Sequence, residues 1–132
     1  MSEPLVALLH PGEMGAAIGG CLAARNVRVM FASDGRSAET LTRAKAAGLN
    51  DGGSLRSTIR DSQIVLSVCP PHAALDVARS TAAAGFKGLY VDANAIAPAT
   101  TRAIGEVIVG AGGTFVDGGI IGPPPRQGAR TR

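Results

Sequence analysis

Apolar residues fall along this chain in short dense runs, separated by longer stretches in which they recur every three or four positions. "PLVALLH" (4–10) is a continuous apolar run ended by Pro11 and Gly12, the pattern of a strand buried on both faces of a parallel sheet. In "EMGAAIGGCLAARN" (13–26) Met14, Ala17, Ile18, Cys21 and Leu22 keep helical spacing, and Asn26 is placed to close the helix. "VRVMFA" (27–32) predicts a second strand and "SAETLTRAKAAG" (37–48) a helix ended by Gly48. "LNDGG" is a loop with room for a very short strand, and "SLRSTIRDS" (54–62) a short helix capped by Ser54. Then come a strand, "QIVLSVC" (63–69), stopped by Pro70 and Pro71, and a helix over 72–85. A strand over 88–93, a helix from Pro98 to Val109 and a last strand, "TFVDGG" (114–119), complete the pattern.

This alternation predicts a Rossmann-type α/β fold, doubly wound, with a mainly parallel sheet, helices on both faces and right-handed crossovers. In such a fold a ligand lies at the carboxyl ends of the strands, where the strand order reverses. One domain is expected over 1–121, followed by an extended or disordered basic tail, 122–132, whose "GPPPRQGARTR" offers only Ala129 as an apolar anchor.

Composition narrows the choice. With 18 glycines, many alanines and 3% aromatic residues, the core must be built from small aliphatic side chains packed closely. The formal charge is +3, but outside Arg126, Arg130 and Arg132 the basic residues are dispersed, and Phe31, Phe86, Phe115 and Tyr90 give little on which to stack bases; nucleic acid is not an expected partner. Cys21 and Cys69 lack metal-ligand spacing and read as buried thiols of a reducing compartment, so no metal is expected. Glu3 stands where a signal peptide would be basic, and no apolar run reaches membrane-spanning length. A cytoplasmic location is the expectation.

The stretch "LLHPGEMGAAIGG" (8–20) carries the first chemistry. A dinucleotide turn sets one glycine at the tight bend, a second where the backbone approaches the pyrophosphate and a third where the helix packs on the strand. Here those places hold His10, Gly12 and Gly15, so the last two survive. Backbone N–H groups of Glu13 and Met14 at the helix start would attract an anion whatever the side chains. At the end of the second strand, "SDGRS" (33–37) offers Ser33, Arg36 and Ser37 as a nest for the 2′-phosphate of NADP. Asp34 is the acid an NAD site would use, unless it caps the next helix or pairs with Arg36.

"HPGEMG" (10–15), "VLSVCPP" (65–71), "YVDANAIAP" (90–98) and "FVDGGIIGPP" (115–124) occur in the order and spacing of one known family. Over residues 4–125 the chain resembles the N-terminal NAD(P)-binding domain of the β-hydroxyacid dehydrogenase and 6-phosphogluconate dehydrogenase superfamily, which also holds the imine reductases. The resemblance implies that Cys69, Pro70 and Asn94 border the nicotinamide ribose and that Gly118, Gly119 and Gly122 form one wall of a substrate cleft. It further implies an oxidoreductase that moves hydride between nicotinamide and a small hydroxy acid, ketone or imine.

Two departures qualify it. Where hydroxyacid dehydrogenases carry a substrate-binding serine stands Ile121, which donates no hydrogen bond, favouring a less polar substrate. Family members also continue into an all-helical domain that supplies the catalytic lysine or an equivalent acid, and neither Lys45 nor Lys87 matches it. The sequence therefore assigns no catalytic residue and expects a chain incomplete for catalysis, with self-association through the surface the helical domain would cover. The alternatives are a non-catalytic nucleotide-binding or assembly module, and an α/β scaffold that binds no nucleotide.

Overall fold

The computed structural model describes residues 5–9 and 13–118. The elements follow the order β1 (Leu5–Leu9), α1 (Glu13–Ala24), β2 (Arg28–Phe31), α2 (Ala38–Ala46), β3 (Asn50–Asp51), α3 (Leu55–Arg60) and β4 (Ile64–Ser67). A single 3-10 turn (Pro71–Ala73) then leads into α4 (Ala74–Ala83), β5 (Leu89–Asp92), α5 (Pro98–Gly110) and β6 (Thr114–Asp117). Each element expected from the sequence is present. The expected basic tail lies outside the described residues.

Local chemistry sets the boundaries. Asn26 closes α1 with φ 65°, and the Val27 N–H returns to the Leu22 carbonyl at 3.1 Å. Ser37 caps α2 by accepting from the Thr40 N–H at 3.1 Å, and Ser54 caps α3 by accepting from the Ser57 N–H at 3.1 Å. Pro98 takes the first turn of α5, where its missing donor costs nothing.

The six strands are ordered β3-β2-β1-β4-β5-β6, all parallel. The chain winds outward from β1 through β2 to β3, then crosses back to place β4 on the other side of β1. Val6 consequently lies between Val29 and Ile64. The strand order reverses between β1 and β4, and connections leave the neighbouring strands toward opposite faces.

Alternation along the strands divides the core. Val6, Leu8, Val29 and Phe31 pack with Met14, Ile18, Leu22 and Ala44 of α1 and α2. On the other face Ala7, Leu9, Val65 and Tyr90 pack with Ile59, Ala78, Ile104 and Ile108 of α3, α4 and α5. Close approach of α1 depends on its small residues: a methyl group on Gly19 would stand 2.7 Å from Leu49 Cδ2 and 3.0 Å from Leu8 Cδ2. Gly20 instead faces Ala47 at the end of α2, 3.5 Å from Cβ to Cβ if a side chain were added. Phe31, Phe86 and Tyr90 are buried, and Tyr90 stacks on Phe115 at 6.4 Å between ring centres, so the aromatic residues serve the core. Among large hydrophobic residues Val109 of α5 and Val116 of β6 stay exposed, at 60% and 44%. No helix among the described residues is long and apolar enough to cross a membrane.

Candidate functional site

The divergence of connections at β1 and β4 opens a crevice at the carboxyl end of the sheet. Into one side of it runs a cavity of about 280 Å³, floored by Leu9 at the end of β1, Ala32 at the end of β2, Leu55 of α3 and Val77 of α4. Its rim is polar: Asp34 and Arg36 from the loop after β2, Asp76 and Ser80 from α4. An apolar slot with a few convergent polar groups suits a flat, heteroatom-bearing ring better than an ion.

The loop after β2 is a tight turn. The Arg36 N–H bonds to the Ser33 carbonyl at 3.0 Å, and Gly35, with φ +78°, takes the left-handed position that a side chain would resist. This turn brings Asp34 and Arg36 to the same cavity. The two serines expected beside Arg36 have other work. The Ser33 hydroxyl donates to Asp51 Oδ1, and the Ser37 hydroxyl caps α2 while also meeting Thr40 Oγ1 at 3.0 Å. The cap on α2 is therefore Ser37, and Asp34 is left for the cavity. Asp51 also accepts from the Gly53 N–H at 2.8 Å, and these two bonds, the Ser33 one foremost, hold its carboxyl below the usual range.

At the ends of β4 and β5 lies a buried polar cluster. The Asn94 side-chain oxygen accepts from the Cys69 N–H at 2.8 Å; its amide nitrogen donates to Ser67 Oγ at 3.3 Å and lies 3.6 Å from Cys69 Sγ. The Asn94 N–H donates to Asp92 Oδ1 at 2.9 Å. Asn94 is thus turned inward, 6% exposed, and its contribution to the crevice is to fix the Cys69 backbone. Burial pushes the Cys69 thiol up, so at neutral pH it is a neutral, poor nucleophile. Burial also raises Asp92, whose Oδ2 has no hydrogen-bond partner among the described residues. Pro70 is exposed at the crevice edge, its carbonyl accepting from the Ala73 N–H at 2.9 Å. Cys21 and Cys69 are both half-buried and unbridged.

Of the remaining expected residues, Gly15 is buried within α1, and Met14 directs its side chain into the core, leaving its backbone at the helix start. Glu13 is the first residue of α1. His10 and Gly12, and farther on Gly119, Ile121 and Gly122, lie outside the described residues. Gly118 donates its N–H to the Asp92 carbonyl at 2.7 Å, and a methyl group there would stand 3.1 Å from Val91 Cγ1. Leu55, Asp76, Val77 and Ser80 were not expected at the site. They come from the opposite face of the sheet, and the only available signal was that α4 must start beside the switch point.

No protein-family model matches the chain. Among curated proteins it is 36% identical over 101 residues to an uncharacterized 28.5 kDa protein of Methanothermus fervidus, over 76% of this chain and 39% of that protein. Among solved structures, it superposes with a TM-score of 0.80 and 31% identity on a conserved protein of unknown function reported to be structurally similar to 3-hydroxyacid dehydrogenases, over 90% of this chain and 44% of that one. The 3-hydroxyisobutyrate dehydrogenase of Mycobacterium tuberculosis, studied with L-serine, gives a TM-score of 0.79 at 19% identity, over 92% and 42%.

The chain has the fold of the N-terminal domain of the 3-hydroxyacid dehydrogenase and imine reductase superfamily. An imine reductase of Myxococcus stipitatus from this superfamily, solved with NAD+, covers 93% of the chain at a TM-score of 0.75 and 18% identity, the chain covering 42% of that enzyme. Throughout these comparisons the chain spans roughly two-fifths of the length of the proteins it matches. The superfamily fold accounts for the cavity's place at the reversal of strand order.

Proposed function

We propose that this chain is the NAD(P)-binding domain of an oxidoreductase, and that it takes NADP in preference to NAD. The reading rests on one observation above the others: the cavity lined by Arg36 opens at the carboxyl ends of β1 and β2, beside the reversal of strand order. The residues present fit the adenosine half of the cofactor. Leu9, Ala32, Leu55 and Val77 offer an apolar bed for the base, and Arg36 offers a planar, permanently charged fork to a 2′-phosphate. With Ser33 and Ser37 committed to Asp51 and to the helix cap, recognition of that phosphate falls mainly on Arg36.

In this reading the N–H groups of Glu13 and Met14, with Gly12 and Gly15, hold the pyrophosphate at the start of α1. Cys69 and Pro70 border the nicotinamide ribose, Asn94 holds them in place, and Gly118, Gly119 and Gly122 form a wall of the substrate cleft. Bound NADPH would supply a hydride to a small ketone or imine, or accept one from a hydroxy acid; the domain orients it.

A second reading, a nucleotide-binding module without catalysis, is favoured by the chemistry at the β4 and β5 ends. Cys69 is held neutral, Asn94 carries no titrating proton and Asp92 is buried inward, so none of the three is poised as a general acid or base. Titrating the chain with NADPH and NADH, beside Arg36→Ala and Asp34→Asn variants, tests the proposal. NADPH should bind more tightly than NADH, and Arg36→Ala should erase the difference. Tighter NADH binding, lost in Asp34→Asn, would assign the site to NAD, and failure to bind either would remove the proposal.

A further inference from the structure

At the opposite end of the sheet, where β4 and β5 begin, the chain has a second cavity of about 480 Å³, bounded by α3 and by the loop between α4 and β5. Three cations line it: Arg56 and Arg60 of α3 and Lys87 of the loop. No carboxylate lines it, and Asp61, which ends α3, is outside the lining. None of the three cations forms an ion pair with a described residue.

Simple electrostatics of the fold accounts for part of this. α3 ends at Arg60 and α4 at Ala83, so Arg60 and Lys87 sit where helix carboxyl ends favour positive charge. Arg56 has no such reason. It stands in the first turn of α3, the end that disfavours a cation, and one turn from Arg60, where like charges at i and i+4 repel. The loop is also shaped to bring the third charge in. Gly85 takes φ +93°, a methyl group on Gly88 would meet the Gln63 carbonyl oxygen at 2.5 Å, and the Lys87 stem passes over Gly112, 3.6 Å from where a methyl group there would stand.

We propose that this cavity is an anion site, separate from the cofactor crevice, for a small molecule bearing a chain of three or more phosphates. Three cations around one concavity call for several negative charges on one ligand, and two arginine forks suit phosphate oxygens. The cations are gathered into a recess instead of spread in a stripe, and Phe86, which also lines it, is 4% exposed and packed into the core, where no base can stack on it; both features favour a small anion over a nucleic-acid strand.

Calorimetric titration with tripolyphosphate tests the site on the wild-type chain and on R56Q/R60Q, K87Q and R36A variants. The wild type should bind. The double arginine variant should weaken binding at least about tenfold, K87Q by less, and R36A should leave it unchanged, since Arg36 lines the other cavity, while Arg56 and Arg60 are exposed and their substitution removes charge without disturbing the core. Titration with ATP in the R36A background, with and without R56Q/R60Q, separates the two sources of such a chain: affinity equal to that of tripolyphosphate assigns recognition to the phosphates alone, and tighter ATP binding that R56Q/R60Q removes adds the nucleoside. No binding by the wild type, undiminished binding in R56Q/R60Q, or loss in R36A with retention in R56Q/R60Q would overturn the proposal. None of these results bears on the NADPH titration above.

Discussion

The side-chain oxygen of Asn94 accepts a hydrogen bond from the backbone N–H of Cys69 at 2.8 Å, joining the carboxyl ends of two adjacent strands through one amide. Neither residue is near the other in sequence. The bond holds the loop after β4 at the angle from which Pro70 and the turn into α4 border the crevice. Removing the amide in Asn94→Ala leaves the Cys69 N–H without its acceptor in a half-buried setting. The expected cost is about 1–3 kcal/mol, read from denaturant unfolding, together with weakened cofactor affinity. An unchanged midpoint would show that the strand ends are held by other means.

Tyr90 is fully buried, and its hydroxyl finds no hydrogen-bond geometry with the nearby Ser67 or any other described group. Burial drives the phenol well above its ordinary value of 10.0. Tyr90→Phe keeps the ring stacked on Phe115 and removes the orphan hydroxyl, so the variant should be as stable as the wild type or more so, by up to about 1 kcal/mol. Above pH 10.0 the unfolded wild-type chain loses its phenol proton before the folded chain does, and stability should fall there in the wild type only. A clearly less stable Tyr90→Phe protein would mean that the hydroxyl is bonded.

Asp92 gives a pH signature at the other end of the scale. Burial raises its folded carboxyl above the ordinary 3.8, with Asp117 adding to the shift. As pH rises past 3.8 the unfolded chain ionises first, so stability falls until the folded carboxyl has ionised too, and stays lower above that point. Asp92→Asn should not show this fall, and its stability relative to wild type should therefore increase between about pH 3 and about pH 7. Parallel pH profiles for the two proteins would place Asp92 in a less costly environment.

Gly88 tests how tightly the strand entrances are built. Its added methyl group would strike the Gln63 carbonyl oxygen, a backbone atom fixed in the pairing of β4 with β5. Gly88→Ala should destabilise by about 1–3 kcal/mol, seen as a lowered Tm. A neutral effect would show that the two strands can part there at little cost.

Much of this fold was legible because its signals are local. The unbroken apolar run over Val6, Ala7, Leu8 and Leu9 marked a strand covered on both faces, and these residues do divide between the two halves of the core. Ser37, Ser54, Asn26 and Pro98 marked helix ends through groups within a few residues of themselves. The site was less legible because it is made of distant pairs. Nothing local to Ser33 shows that its hydroxyl is given to Asp51, eighteen residues on. Periodicity makes Leu55 and Val77 core positions without showing that they also floor a cavity with Arg36. The sequence places Asn94 just after a strand, but which way its amide turns depends on Ser67 and Cys69 at the end of the neighbouring strand.

The most direct measurement is nuclear magnetic resonance of the isotopically labelled chain during titration with NADPH. The amides that shift should cluster at the carboxyl end of the sheet, at Glu13 to Gly15, from Ala32 to Arg36, around Cys69 to Ala73, and at Val77 and Asn94, while Arg56, Arg60 and Lys87 stay unmoved. Shifts confined to the amino end of the sheet, or none at saturating NADPH, would contradict a dinucleotide site at the reversal of strand order.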